Sequence, residues 1–460
     1  MKRLGDVCVV GLGDSGEAAA RYCAGLLGSE CDSVTIVETS DSARVTERAE
    51  SLRSIGVRVL LGTEAITGCF DLCVASPGVP PHAALMKSAR AGCTEVISEI
   101  EFAFRRSECA WVAITGTNGK TTTTSLVTHL LNEGGISARA VGNIGVPAIT
   151  AVAEGCPGEV LVAEVSSFQL ALTSEFHPRV AVLLNITPDH LDWHGSMESY
   201  AADKAKVFAN LGAEDRAIVD VDDPGSRPWA DVLEARGVPV ARVSRSMCPV
   251  TGASAASGRL AIHMDGTVSE LCLPEELRVR GPHNVSNALA AALAAHAMGV
   301  GATDIIRGLL SFEPIEHRLE PAGSACGLEW FNDSKATNPD AVFKAVEAFE
   351  ERPFVLLLGG RNKGNDFRPL ARRVAGAARA VVLFGESRDE LARAFDGCEA
   401  TLEVVHGLGE AVTAAARLAR LGDAVVLSPA CASFDEFTNY EERGRAFKSM
   451  VAELACEVTP

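Results

Sequence analysis

The sequence predicts an α/β protein of three domains: a Rossmann-like first domain, a central P-loop ATPase-like domain on a parallel or mixed sheet, and a second Rossmann-like domain at the C-terminal end. Three observations predict it. Strand-like and helix-like text alternates along the chain. Several strands are continuously apolar, as in sheets covered on both faces. The strands end in glycine-rich or polar loops, where open parallel sheets hold ligands. A chain of 460 residues is also too long for a single core. The expected domains are residues 1–106, 107–310 and 311–460.

In the first block, "VCVVGLG" reads as a strand ending in glycine, "GEAAARYCAGLLG" as a helix with a glycine stop, and "SVTIVET" as a second strand. "DLCVASPGVPP" is a further strand closing in a Gly/Pro turn. The second block opens with "AWVAITG" and continues through the buried strands "EVLVAEVSS" and "VAVLLNI". It ends in the long Ala-rich helix of "VRGPHNVSNALAAALAAHAMG". Between these, residues 243–273 are Ser/Gly/Ala-rich and predict only irregular short strands. The third block holds "EWFNDSKATN", "FVLLLGGRNKGNDF", "AVVLFG", "LEVVHG" and "DAVVLSPACASFDEF". No internal repeat is visible.

Composition narrows the function classes. Apolar content of 47% and charged content of 22% describe an ordinary globular protein. The net charge of −18 argues against nonspecific nucleic-acid or membrane-surface binding, and neither partner is expected. Anionic ligands remain open, because local loops and single lysines decide those. The 14 cysteines show no CxxC pair or zinc spacing, so free thiols in a reducing cytoplasm are expected. Lys2 and Arg3 precede an apolar run too short and glycine-rich for a signal peptide. No run of about eighteen apolar residues predicts a membrane span.

The most loaded stretch is "WVAITGTNGKTTTTSLV", a strand, a Gly-rich turn and a helix. The usual P-loop spacing would put its opening glycine at Ile114; here the first glycine is Gly116. Backbone amides of Gly116, Thr117, Asn118, Gly119, Lys120 and Thr121 can still form an anion nest, with Thr122 following. Lys120 reaches a terminal phosphate and the Thr121 hydroxyl suits Mg²⁺, so a nucleoside triphosphate is the expected ligand. "GLGDSG" (Gly11, Gly13, Asp14, Ser15, Gly16) follows a strand, and Glu38 ends the next one. That pattern fits a diphosphate ligand, with a plain tight turn as the alternative.

Glu164 sits at the end of an apolar strand. Beside a phosphate loop, a Mg²⁺ ligand is the reading preferred over a cap or ion pair. Asp189, His190, Asp192 and His194 invite zinc, but their half-open spacing lacks a third convergent ligand. His190 is instead the choice for a second Mg²⁺ ligand, and His194 reads as surface structure. Lys204 and Lys206 lie on a helical stretch, and spacing alone assigns neither a function. Asn284 and Asn287, at i and i+3 on a helix start, either contact a nucleotide or merely cap the helix. His317, Arg318, Asp333, Ser334, Lys335 and Asn338, with "SPACASFDEF", give a polar third face expected to be directed at the phosphate site.

With "GTNGKTT", "EVSSFQL", "NITPDHLD", "HNVSNALAA" and "DSKATNPDA" in this order, the whole chain resembles the Mur ligase family. The motifs "ASPG", "NDSKATN", "LSPACASFDEF" and "NYEERG" resemble most its D-glutamate-adding member. The Asp-Asn-Pro-Arg type motif of diaminopimelate- or lysine-adding members is missing. The resemblance implies ATP-dependent addition of D-glutamate to UDP-N-acetylmuramoyl-L-alanine by an acyl phosphate, with two Mg²⁺ ions, in a cytoplasmic monomer. It implies that Gly13, Asp14, Ser15, Gly16, Glu38, Thr39, Ser76, Gly78 and Asn143 hold the UDP substrate. It implies ATP contacts from the loop, Asn284, Asn287, His317, Arg318 and Asp333. Lys335, Thr337, Ser433 and Tyr440 would hold D-glutamate.

The resemblance also implies that Lys204 is carbamylated, with Lys206 as rival, since CO₂ turns a cation into a metal-binding carboxylate beside Thr121, Glu164 and His190. Thr121 stands where a serine is often found. Trp193, His194 and Tyr440 differ from some members. Other amino-acid ligases of this type, including the folylpolyglutamate-synthase-like ones, stay open. So do a nucleotide-binding oxidoreductase built on "GLGDSG" and a nonenzymatic ATP-dependent switch.

Overall fold

A computed structural model of the chain describes residues 3–457 except 156, 265, 350, 351, 363 and 400. It is a mixed α/β protein with three sheets of mainly parallel strands. The chain divides into two compact units, Met1–Glu276 with Ser286–Leu310, and Leu277–Val285 with Ser311–Pro460.

The first unit holds two sheets. The first comprises β1 (Gly5–Val10), β2 (Cys31–Val37), β3 (Arg58–Leu60), β4 (Phe70–Ala75) and β5 (Cys93–Ser98). Their order is β3-β2-β1-β4-β5, all parallel. Valine-rich text such as "DVCVV" suits these strands because β-branched side chains pack on a pleated surface. The second sheet comprises β6 (Ala110–Thr115), β7 (Ala138–Gly142), β8 (Val160–Glu164), β9 (Val180–Leu183), β10 (Arg216–Asp220) and β11 (Val240–Ser244), with β12 (Gly252–Ser254), β13 (Ala261–Met264) and β14 (Thr267–Glu270). Its order is β14-β13-β12-β11-β10-β9-β6-β8-β7. The Ser/Gly/Ala-rich stretch thus forms regular strands. β13 pairs antiparallel with both β12 and β14, and those three strands continue the parallel sheet. Being three or four residues each, they carry too little periodicity to read from sequence.

One continuous core runs through both sheets of this unit. Phe104, Trp111 and Phe176 meet edge to face within it, with centroids 5.5–6.1 Å apart. The buried Glu101 carboxylate accepts the amides of Ser174, Glu175 and Phe176 and pairs with Arg105. A buried carboxylate needs that full set of donors.

The second unit carries β15 (Glu320–Ala325), β16 (Leu328–Asn332), β17 (Phe354–Gly359), β18 (Ala380–Phe384), β19 (Leu402–Val404) and β20 (Ala424–Ala430). Their order is β15-β16-β20-β17-β18-β19, with only β15 antiparallel. Apolar clusters cover both faces. Among the described cysteines eleven are free; Cys109 is disulfide-bonded and departs from the free-thiol expectation. No helix among the described residues is long and apolar enough to cross a membrane.

Candidate active site

β6 lies between β8 and β9, so chain connections leave it in opposite directions and a crevice opens beyond its carboxyl end. The phosphate loop fills that position. It joins β6 to the helix Lys120–Glu133, whose N-cap is Gly119. Gly119 has φ +83°, and a Cβ there would meet Asn287 Oδ1 at 2.4 Å, so glycine is required. Asn287 therefore packs against the loop itself.

The loop is tied down from the strand beside it. Asn118 N–H donates to Asn185 Oδ1 (2.8 Å), and Asn185 Nδ2 donates back to Asn118 O (3.1 Å). The Thr117 hydroxyl accepts Thr187 N–H (3.0 Å) and meets the Tyr200 hydroxyl (3.1 Å). Lys120 Nζ folds back on the carbonyls of Gly116 and Thr117, each at 2.9 Å. Thr121 and Thr122 are buried in the first turn of the helix.

Lys204 comes from the helix Met197–Ala205 and is 2% exposed. Its Nζ also donates to Gly116 O, at 2.8 Å, and lies 4.5 Å from the Tyr200 ring centroid. Two ammonium groups thus share one carbonyl. Burial, and then the Lys120 charge, hold Lys204 well below the ordinary lysine range, with Asp189 and Glu164 opposing. Lys206 differs: it bonds Ala171 O at 2.9 Å, pairs with Asp203, and is 38% exposed.

Glu164, at the end of β8, is 2% exposed. Asn143 Nδ2 donates to its Oε1 at 2.9 Å, while its buried Oε2 has no partner among the described residues. An unpartnered buried carboxylate oxygen is costly without a cation or donor. His190 sits at φ 52°, half exposed, with its ring 4.8 Å from that of Phe168. His194 is buried rather than on the surface. Ser167 and Asp203 bond its two ring nitrogens at 2.9 Å, and burial lowers its pKa against the pull of Asp203. The structural role expected of it holds, but inside the protein. The Asp192 side chain lies outside the described ones.

In the first sheet the glycine loop follows β1. A Cβ on Gly16 would meet Gly11 O at 1.9 Å, so the helix Asp14–Ala24 packs directly on the loop. Nothing lies within 4 Å of a Cβ on Gly13 or Gly78. Ser76 Oγ donates to Gly11 O (3.1 Å). Burial alone would raise Glu38, yet bonds from Leu12 N–H (2.6 Å), Ser40 N–H (2.9 Å) and the Thr39 hydroxyl (3.1 Å) hold it below the usual carboxylate range. Glu38 thus shapes the loop from beneath. Asp14 is exposed and pairs with Arg48.

In the second unit, Asn284 Nδ2 donates to Arg280 O, at the start of the helix Pro282–Ala297. Asn332 Nδ2 donates to His317 Nδ1 at 2.9 Å. Burial pushes the Asp333 carboxyl up to about 7, against bonds from the Ser428 hydroxyl (2.7 Å) and Leu319 N–H, and the Arg318 charge. Lys335 Nζ lies 5.4 Å from the Tyr440 ring centroid. Thr337 follows in the same turn, its amide bonded to Lys335 O, and Ser433 is buried after β20.

Residues 114–295 match the Mur ligase middle domain and residues 317–431 the Mur ligase glutamate ligase domain. The chain is 42% identical over 452 residues to the UDP-N-acetylmuramoylalanine--D-glutamate ligase of Pelotomaculum thermopropionicum, covering 97% of each chain. The chain belongs to the Mur ligase family. The Salinibacter ruber enzyme of the same name is also 42% identical, over 457 residues and 97% of each chain. A solved structure of MurF from Acinetobacter baumannii shares the fold, with TM-score 0.62 and 18% identity over 97% of this chain and 93% of that one.

As a Mur ligase the protein is an ATP-dependent amide-forming enzyme that uses Mg²⁺, which sets aside the oxidoreductase reading of the glycine loop. The open Glu164 Oε2 beside the phosphate loop fits a divalent cation. Sequence reasoning missed three supports of this Mur ligase's loop: Asn185, Thr187 and Tyr200. Asn185 and Thr187 are the first and third residues of "NITPDHLD", at a strand's carboxyl end, which was the available signal. Nothing in the text around Tyr200 marks its hydroxyl.

Proposed function

We propose that this Mur ligase joins D-glutamate to UDP-N-acetylmuramoyl-L-alanine in peptidoglycan precursor synthesis, releasing ADP and phosphate, as a cytoplasmic monomer. The relatives' shared name and near-complete coverage support the substrates. One observation carries the chemistry: Lys120 and Lys204 converge on Gly116 O beside the half-satisfied Glu164 carboxylate.

In this reading residues 1–106 bind the UDP substrate, 107–310 bind ATP, and 311–460 supply the amino acid. The substrate carboxylate attacks the γ-phosphorus of ATP; the acyl phosphate formed is then attacked by the amine of D-glutamate, and phosphate leaves. Lys120 leaves the loop carbonyls to pair with the terminal phosphate, and the loop amides take the adjacent oxygens. Asn143 fixes the Glu164 carboxylate, and the Thr117–Tyr200 contact holds the loop in register. Burial and the Lys120 charge disfavour the Lys204 ammonium; it gives up one proton, the free amine adds to CO₂ with a new N–C bond and loss of a second proton, and the cation has become an anion. Thr121, Glu164, His190 and carbamylated Lys204 would hold two Mg²⁺ ions, which offset the charge of the moving phosphoryl group. Asn284, Asn287, His317, Arg318 and Asp333 are assigned to ATP. Gly13, Asp14, Ser15, Gly16, Glu38, Thr39, Ser76, Gly78 and Asn143 are assigned to the UDP substrate. Lys335, Thr337, Ser433 and Tyr440 are assigned to D-glutamate.

The test is phosphate release with ATP, Mg²⁺ and UDP-N-acetylmuramoyl-L-alanine across a panel of amino acids. D-glutamate alone should give stoichiometric amide. Release with L-glutamate or lysine instead would reassign the substrate, and hydrolysis without amide would make the protein an ATP-driven switch.

A further inference from the structure

Cys8 on β1, Cys73 on β4 and Cys93 on β5 bring their sulfurs within 4.8 Å of one another. Cys8 and Cys73 are direct register partners on neighbouring strands, and β5 brings Cys93 in from the other side of β4. All three face one side of the sheet, among Val10, Val37, Leu85, Ala89 and Phe70. Cys8 and Cys73 are fully buried and Cys93 is half-buried at the rim, which gives a route in. Among the described residues no fourth His, Cys, Asp or Glu joins the cluster.

The structure assigns to these three thiols a binding site for a thiophilic, three-coordinate, trivalent metalloid, of which arsenite is the simplest form. Two arguments select that class. The first is reach: three sulfurs bonded at about 2.3 Å to one pyramidal centre lie about 3.5 Å apart, and these three already stand within 4.8 Å of one another. The second is charge. Zn²⁺ on three thiolates would leave a net negative charge and an unfilled fourth position, and Cu⁺ would leave a larger one. In an apolar site without a cation such charge is costly. A trivalent centre leaves none. Arsenite, As(OH)₃, reacts with three S–H groups to give three As–S bonds and three waters. Three As–O and three S–H bonds break, and no oxidation state changes.

The test uses the reduced full-length protein and arsenite alone, read by intact-mass spectrometry and by titration of free thiols. The wild type and Cys248→Ser, whose sulfur is exposed elsewhere, should each take up one arsenic with loss of three protons. Cys8→Ser, Cys73→Ser and Cys93→Ser should each bind about 100-fold more weakly, as loss of one arm of a chelate implies. Cys93→Ser, at the rim, keeps the test decisive if the buried variants do not fold. Absence of an adduct on the wild type, or undiminished binding by Cys93→Ser, would overturn the proposal. Zn²⁺ binding with the same cysteine dependence but no arsenite adduct would also overturn it.

Discussion

Replacing Lys204 with alanine separates a structural lysine from a functional one. The ammonium makes one charge-assisted bond, to Gly116 O at 2.8 Å, in a position 2% exposed. Such a bond contributes about 1.5–3 kcal/mol, while desolvating the ammonium costs several kcal/mol. The two largely cancel, so the cavity left by the side chain dominates, at about 1–3 kcal/mol. The protein should therefore fold. Catalysis should suffer far more, because a fixed charge aimed at the reacting phosphoryl group is worth about 10²–10³ in rate. The assay is steady-state phosphate release with and without formate or acetate, with thermal unfolding run in parallel. Lys204→Ala should lose about 10³ in kcat and recover part of it with the small carboxylates. Lys206→Ala, outward-facing and paired with Asp203, should change little. Full activity in Lys204→Ala, or rescue seen only in Lys206→Ala, would refute the assignment.

Lys120→Ala should abolish ligation while UDP-substrate affinity, by calorimetry, stays near wild type; an equal loss of both would mean the domains are misassigned. Gly16→Ala places a Cβ 1.9 Å from Gly11 O, so KM for the UDP substrate should rise at least about tenfold, with ATP affinity unchanged in a nucleotide-binding assay. Glu99 is buried and its carboxyl is pushed up to about 7 by burial, against bonds from the Ile149 and Ala148 amides. The folded state then keeps a proton that the unfolded chain has lost, so this stability is present at low pH and lost as pH rises through about 7. The loss is about 3 kcal/mol. Urea unfolding at about pH 5 and about pH 8 should show it in the wild type and not in Glu99→Gln.

Much of the fold was legible because its strands are buried on two faces and its loops fall at their carboxyl ends. The phosphate loop, Glu164 and the Ala-rich helix announce themselves by local pattern. Lys204 did not. Its text is that of an ordinary solvated helix, and its burial depends on Gly116, far away in sequence. Glu38 was readable as a carboxylate at a strand end, but its capture by the Leu12 amide depends on how the loop curls. His194 looked superficial because its partners, Ser167 and Asp203, come from separate helices. The cysteine cluster was invisible for the same reason, since parallel pairing sets Cys8 against Cys73 across 65 positions of sequence.

The claim that a carboxylate is activated as an acyl phosphate is tested most directly by isotope transfer. UDP-N-acetylmuramoyl-L-alanine with both alanyl carboxylate oxygens replaced by a heavy isotope would be turned over with ATP, Mg²⁺ and D-glutamate. Mass spectrometry of the phosphate should find one heavy oxygen in it, with the other retained in the new amide. Unlabelled phosphate, with the second heavy oxygen recovered in water or in the nucleotide instead, would contradict the account.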